Sequence, residues 1–252
     1  MDAKFRTWQE SFGLAMIDNE DPSYVLQSIA EANIIGLIND KEAEKILKEY
    51  YREKNDPEGY QRDLVMLRIK MILNSKEFDL SKDFFCAIHR FIFRDTPYEG
   101  GQIRTVFRSK KEDILNGGSV IYAAPDEIHE FLDYDFGMQQ KRKMKGLSKE
   151  DTIKLIIPFT SNIWQAHPFL DGNTRTTSIF IEKYLQSLGF PINNTIFRDN
   201  SLYFRNALVR NNPNSANAPC TTEFLYKFFY KLLLDETIEL NPDEQKISTT
   251  RT

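Results

Sequence analysis

Two cysteines, ten prolines and eleven glycines are few for 252 residues. Cys86 and Cys220 lie far apart, and the chain has no CxxC or Cys/His cluster. A disulfide framework and a thiolate zinc site are therefore not expected. So little Gly and Pro argues against a loop-rich or all-β chain. No apolar run reaches the length that spans a bilayer, and MDAKFRTWQESFG lacks the apolar core of a signal peptide. The formal net charge is only −4 and there is no long Lys/Arg run, which excludes a broad basic stripe for nucleic acid. Arg108, Lys110 and Lys111, and separately Lys141, Arg142, Lys143 and Lys145, read as solvated helix ends or loops. A cytoplasmic protein with no nucleic-acid and no membrane partner is expected.

Hydrophobic residues make up 41% and aromatics 13%, enough for a sizeable core. Helical periodicity dominates the chain. Ser23 can cap a helix running to about Ile38, and Asp40 the next, whose Ala43, Ile46, Leu47, Tyr50 and Tyr51 share a face. Asn55 to Gly59 breaks the pattern. Helices follow over Tyr60 to Met71 and after Asp79 or Ser81, where Cys86 sits in the apolar FFCAIHRFIF. Thr96 to Pro125, with PYEGGQIRTVF and NGGSVIYAAP, reads as a loop and a small hairpin flap. Ser148 to Gln165 is a strong helix, expected to kink at Pro158. A helix closed by Gly189 and two more near 199–211 and 220–235 complete the pattern, and the polar tail from Glu239 is expected to fray.

Between two apolar helices stands HPFLDGNTR, His167 to Arg175. Asn173 or Thr174 is a natural N-cap for the helix that comes next. That helix's free N–H groups and dipole make an anion site. Gly172 permits a tight turn and close approach. Arg175 adds a cation that can fork onto phosphate oxygens. Asp171 would repel a bare phosphate, but fits if a divalent cation lies between them. An ordinary capped turn would leave His167 and Arg175 without a role.

These nine residues resemble the Fic (Fic/Doc) family motif HPFx(D/E)GN(G)RxxR and match eight of its first nine positions, the free one included. IHRFIF, GGQIRTV, GSVIYAAP and SLYFRNALVRNN extend the resemblance from about Phe84 to Phe229. It implies a mainly α, Fic-fold helical bundle with a small β-hairpin flap. Its parts would be an N-terminal antitoxin-like helical region (1–75), a Fic core (76–236) and a polar tail (237–252). It implies AMP transfer from ATP, with Mg²⁺, to a Ser, Thr or Tyr hydroxyl of a target protein, itself included. By resemblance, His167 is the general base with a near-neutral pKa, and Asp171 holds Mg²⁺. Gly172, Asn173 and Thr174 form the anion hole, and Arg175 stabilises the leaving pyrophosphate. Phe169 anchors the turn. Tyr203 and Asn211 sit near the adenine. The flap, Ser119, Ile121 and Tyr122, pairs by backbone with an extended segment of the target. Homo-oligomers occur in the family.

Two positions depart from the motif. Thr174 replaces its second glycine, and its Cβ is expected to crowd the phosphate approach. Ser178 stands where a second arginine would contact the γ-phosphate. AEANIIGLINDKEAEKILKEYY resembles an inhibitory helix pair of the pattern (S/T)xxxE(G/N). Aligned on Gly36, it places Glu31 at the Ser/Thr position and Ile35 at the inhibitory glutamate, so the usual glutamate switch is expected to be missing. Another phosphate donor, γ-phosphate transfer and a silent nucleotide-binding module stay open as alternatives.

Overall fold

Polar caps and apolar stripes place most of the helices. A computed structural model describes residues 3–247 except 19, 99, 193 and 215–217. Its eleven described α-helices are α1 (Ala3–Ala15), α2 (Tyr24–Ile34), α3 (Asp40–Lys54), α4 (Pro57–Asn74), α5 (Lys82–Phe93), α6 (Ile128–Lys141), α7 (Lys149–Ala166), α8 (Asn173–Ser187), α9 (Asn194–Asp199), α10 (Ser201–Asn211) and α11 (Glu223–Leu233). Among the described residues, none is long and apolar enough to cross a membrane. Ser23, Ser81 and Ser148 each accept a hydrogen bond from a first-turn N–H, as their sequence positions suggest. At α3 the cap is Asn39, not Asp40, in a reciprocal box with Glu42. α7 runs unbroken through Pro158.

α5, α7 and α8 share the large core, where Phe85, Phe136, Phe159 and Phe180 meet edge to face or tilted. A smaller cluster joins Trp8, Leu26, Ala43, Leu47 and Leu64 from α1 to α4. The chain beyond Glu239 does not fray up to Ile247. Gln245 is fully buried and its side-chain amide donates to Tyr203 O at 2.9 Å, while Ile247 N–H donates to Ile114 O at 3.1 Å.

The flap is more than a hairpin. β1 (Lys111–Glu112), β2 (Gly118–Val120) and β3 (Pro213–Asn214) form an antiparallel sheet with β2 in the middle. Ser119 pairs with Lys111 on one side and Asn214 on the other. Its backbone therefore offers no open edge to a target strand, contrary to the sequence expectation. Gln165 ties down the chain just past β2, its Nε2 donating to Ile121 O at 3.0 Å.

Candidate active site

The turn from α7 to α8 is built by four internal clamps. His167 ends α7 in the left-handed region (φ 46°, ψ 56°), its N–H donating to Trp164 O at 3.0 Å. Asn173 is not an N-cap; α8 is preceded by Gly172 at φ +70°, with no side-chain cap. The Asn173 side chain instead closes the turn on itself: Oδ1 accepts from Phe169 N–H at 3.0 Å, and Nδ2 donates to Phe169 O at 2.8 Å. Arg104, almost fully buried, donates to the carbonyls of His167, Val106 and Ala123, each at 2.7 Å, so one guanidinium joins the turn to the flap. His89 Nδ1 accepts from Gly101 N–H at 2.7 Å, which leaves its Nε2–H to donate to Asp171 O at 3.1 Å. The His89 ring also stacks on Phe169 at 3.8 Å. Burial pushes the His89 pKa down to about 4, so this ring is neutral.

The cavity at this turn has a volume of about 100 Å³. His167, Asp171, Gly172, Asn173, Thr174 and Arg175 line it, with Tyr122 and Trp164 beside them. Arg108, Lys110 and Arg205 line it too, which sequence reading missed. The first two sit in a segment of loop that composition alone marks as solvated. Arg205 pairs at 2.6 Å with the buried Glu112 of β1, and Arg108 donates to Leu170 O at 2.8 Å. Four cations thus face one lining carboxylate, Asp171. The intrahelical ladder of α8 starts with Thr176 N–H on Gly172 O, so its earlier N–H groups have no helical acceptor. Cations, helix terminus and dipole together favour a polyanion.

Thr174 lines the cavity. Its hydroxyl accepts from Trp164 Nε1 at 3.0 Å, which ties its side chain to α7. Ser178 is 1% exposed inside α8 and does not line the cavity. Tyr203 and Asn211 do not line it either. Tyr203 is buried against Phe224, and Asn211 Nδ2 donates to Ser161 at 2.6 Å. Of the flap residues only Tyr122 reaches the cavity, while Ser119 stays in the sheet and Ile121 faces outward, 54% exposed.

His167 lies under Tyr122, the rings stacked at 3.9 Å and 26°. Its Nδ1 is buried, with no hydrogen-bond partner among the described residues. Burial, then Arg104, Arg108 and Lys110, push its pKa down to about 3, well below the near-neutral value expected from the motif. Burial likewise holds the Tyr122 phenol neutral, its pKa pushed up to about 12.

A stability test comes from the sign of the His167 shift. The folded state resists protonation that the unfolded chain accepts, so this contribution is complete above about pH 6.5 and is lost as pH falls toward 3. Urea titrations at pH 7 and pH 4.5 should show wild type losing roughly 2 kcal/mol more than His167→Asn between the two. Parallel pH profiles would contradict the burial of this imidazole.

Asp171 stands at the cavity with its Oδ2 3.0 Å from Arg175, which also reaches Glu20 at 3.4 Å and lies 5.0 Å over the Phe93 ring. No group of three or more His, Cys, Asp or Glu side chains able to hold a metal occurs among the described residues. One carboxylate beside an anion cavity suits Mg²⁺, which keeps waters and substrate phosphates as its other ligands.

Residues 79–185 match the family model described as Fic/DOC family. This segment is similar to the Fic/DOC family. They include α5, the flap strands β1 and β2, α6, α7 and the HPFLDGNTR turn. A protein adenylyltransferase of Bartonella henselae is 26% identical over 156 residues, which cover 57% of this chain but only 29% of that protein. The N-terminal FIC domain of Bep8 from Bartonella sp. 1-1C superposes with a TM-score of 0.52 at 15% identity, covering 82% of this chain and 92% of that one. BepC of Bartonella tribocorum, solved with bound AMPPNP, gives a TM-score of 0.52 at 17% identity, covering 75% and 86%. At such identities the structures show a shared fold: a mainly α bundle with a small antiparallel sheet.

Ile35, the residue aligned with the inhibitory glutamate, does not line the cavity. Ile35 is 71% exposed at the end of α2. The N-terminal residues that do reach the site come from the connection between α1 and α2. Ile17 lines the cavity, and Glu20 pairs with Arg175.

Proposed function

We propose that this protein transfers AMP from ATP to a Ser, Thr or Tyr hydroxyl of a target protein, itself included. The observation that carries this reading is a neutral histidine beside a cavity of four cations, at the N-terminus of a helix. Arg175, Arg108, Lys110, Arg205 and the first N–H groups of α8 bind the polyphosphate. Asp171 would hold Mg²⁺, which supplies charge neutralisation between phosphate oxygens. His167 accepts the proton of the target hydroxyl as that oxygen bonds to the α-phosphorus. The bond to the bridging oxygen breaks, and pyrophosphate leaves toward Arg175. Burial depresses His167 most; phosphates filling the cavity offset the smaller depression by Arg108 and Lys110, and so raise its basicity in part. Adenylyl transfer by the Bartonella henselae relative and AMPPNP binding by BepC support the same donor. The direct test is label transfer from α-labelled ATP to protein, dependent on His167.

A nucleotide needs more room than about 100 Å³, since small-molecule pockets run to roughly 300–1,000 Å³. Ile17 and Glu20 must move aside, and Glu20 competes with phosphate for Arg175. Glu20→Ala should tighten ATP binding about fivefold, as read by calorimetry, in line with the loss of roughly 1 kcal/mol of ion pairing. Unchanged or weaker binding would show that Glu20 does not hold the arginine.

A further inference from the structure

Beside the phosphate cavity lies a larger one, of about 450 Å³. Tyr122 is a wall of both. Ala166 lines the larger cavity and the adjacent His167 the smaller, so the two flank the end of α7. The mechanism above makes no use of this second space.

Its chemistry is the reverse of its neighbour's. The charged residues lining it are Glu127 and Asp135, with no Lys or Arg among the lining residues. Asp135 accepts from Asn162 Nδ2 at 2.8 Å, which fixes its carboxylate at the wall. Ile121, Phe131 and Tyr134 supply large apolar surfaces, exposed by 54%, 44% and 65%. Aromatic faces beside carboxylates recognise a long cationic side chain: its stem covers the rings and its head pairs with the acids. The neighbouring cavity, lined by cations, rejects the same group.

We propose that this cavity takes an arginine or lysine side chain of the target protein, about two residues from the hydroxyl presented to His167. The proposal rests on the AMP-transfer reading for the identity of the partner. The spacing arises because one aromatic ring separates the cavities, and alternate residues of an extended chain point the same way about 6.8 Å apart. The target is thereby read through side chains, which suits a flap whose central strand is already paired on both sides.

The test uses fluorescein-labelled nine-residue peptides of Gly and Ala with one Ser. Arg, Glu or Ala stands two residues to either side of the Ser. Binding is read by anisotropy with the full chain, and transfer by label from α-labelled ATP. The Arg peptides should bind at least tenfold tighter than the Glu peptides. Asp135→Asn and Glu127→Gln should each lower that preference about threefold, and the double variant should remove it. In transfer, KM should carry the change and kcat should stay level. Equal binding of the Arg and Glu peptides, or a preference that survives the double variant, overturns the proposal. Glu127 is exposed, so its variant keeps the test valid should Asp135→Asn perturb packing. Arg-preferring binding without any label transfer would leave the cavity assignment standing and remove the transferase reading. Transfer without a preference for Arg would do the opposite.

Discussion

His167→Ala and His167→Asn should both lose label transfer by about 10³-fold, within the 10²–10⁴ that a positioned general base contributes. Both should keep ATP binding within a few-fold of wild type. The separation comes from the geometry. The cations and helix terminus that would hold the phosphates are other groups, and the turn is clamped by Arg104, Asn173 and His89. The Asn variant matters because residue 167 is left-handed, at φ 46°. Asparagine tolerates that conformation better than alanine, so it separates lost chemistry from backbone strain. Transfer retained within tenfold in the Asn variant would assign the base elsewhere. Loss of ATP binding in both variants would place His167 among the phosphate ligands.

Gly172→Ala should cost stability and activity together. A Cβ at this residue would stand closer than 3.0 Å to two carbons of the Phe93 ring, and the backbone is left-handed at φ +70°. Left-handed strain of about 1–2 kcal/mol adds to overpacking of about 1–3 kcal/mol. For a chain of this size the melting temperature should fall by roughly 5–15 °C. The damage reaches the chemistry because Phe93 also lies under the Arg175 guanidinium and against His89 at 4.5 Å. Phe93→Leu should therefore recover part of the lost stability in the double variant. A Gly172→Ala protein as stable as wild type would contradict the close packing of this turn. The glycine thus owes its place to the ring behind it at least as much as to any ligand in front.

Local chemistry made much of this legible in the sequence. Serines 23, 81 and 148 stand ahead of apolar stripes and become caps, and HPFLDGNTR marks the turn that lines the candidate cavity. α1 escaped because its buried side includes Thr7, Glu10 and Ser11, which blurs the apolar period. β3 escaped because two residues carry no period at all. The cavity's extra cations were illegible for another reason. Arg108 and Lys110 reach the turn only through folding of the loop, and Arg205 only through the placing of α10 against β1. Tyr203 and Asn211 share α10, yet neither lines the cavity. Helix spacing puts residues on one face without saying what that face meets, and here it meets the core and Ser161. Glu20, more than a hundred residues from Arg175 in sequence, had no local signal whatever.

The most direct measurement is the origin of the transferred label. The full chain, Mg²⁺ and ATP labelled on the α- or the γ-phosphate are incubated with cell lysate, beside His167→Asn. Protein should acquire label from the α-position alone, with release of pyrophosphate, and the variant should acquire none. Label arriving from the γ-position would mean that the nucleotide lies reversed and that the protein is a kinase. Label from neither would contradict ATP as the donor.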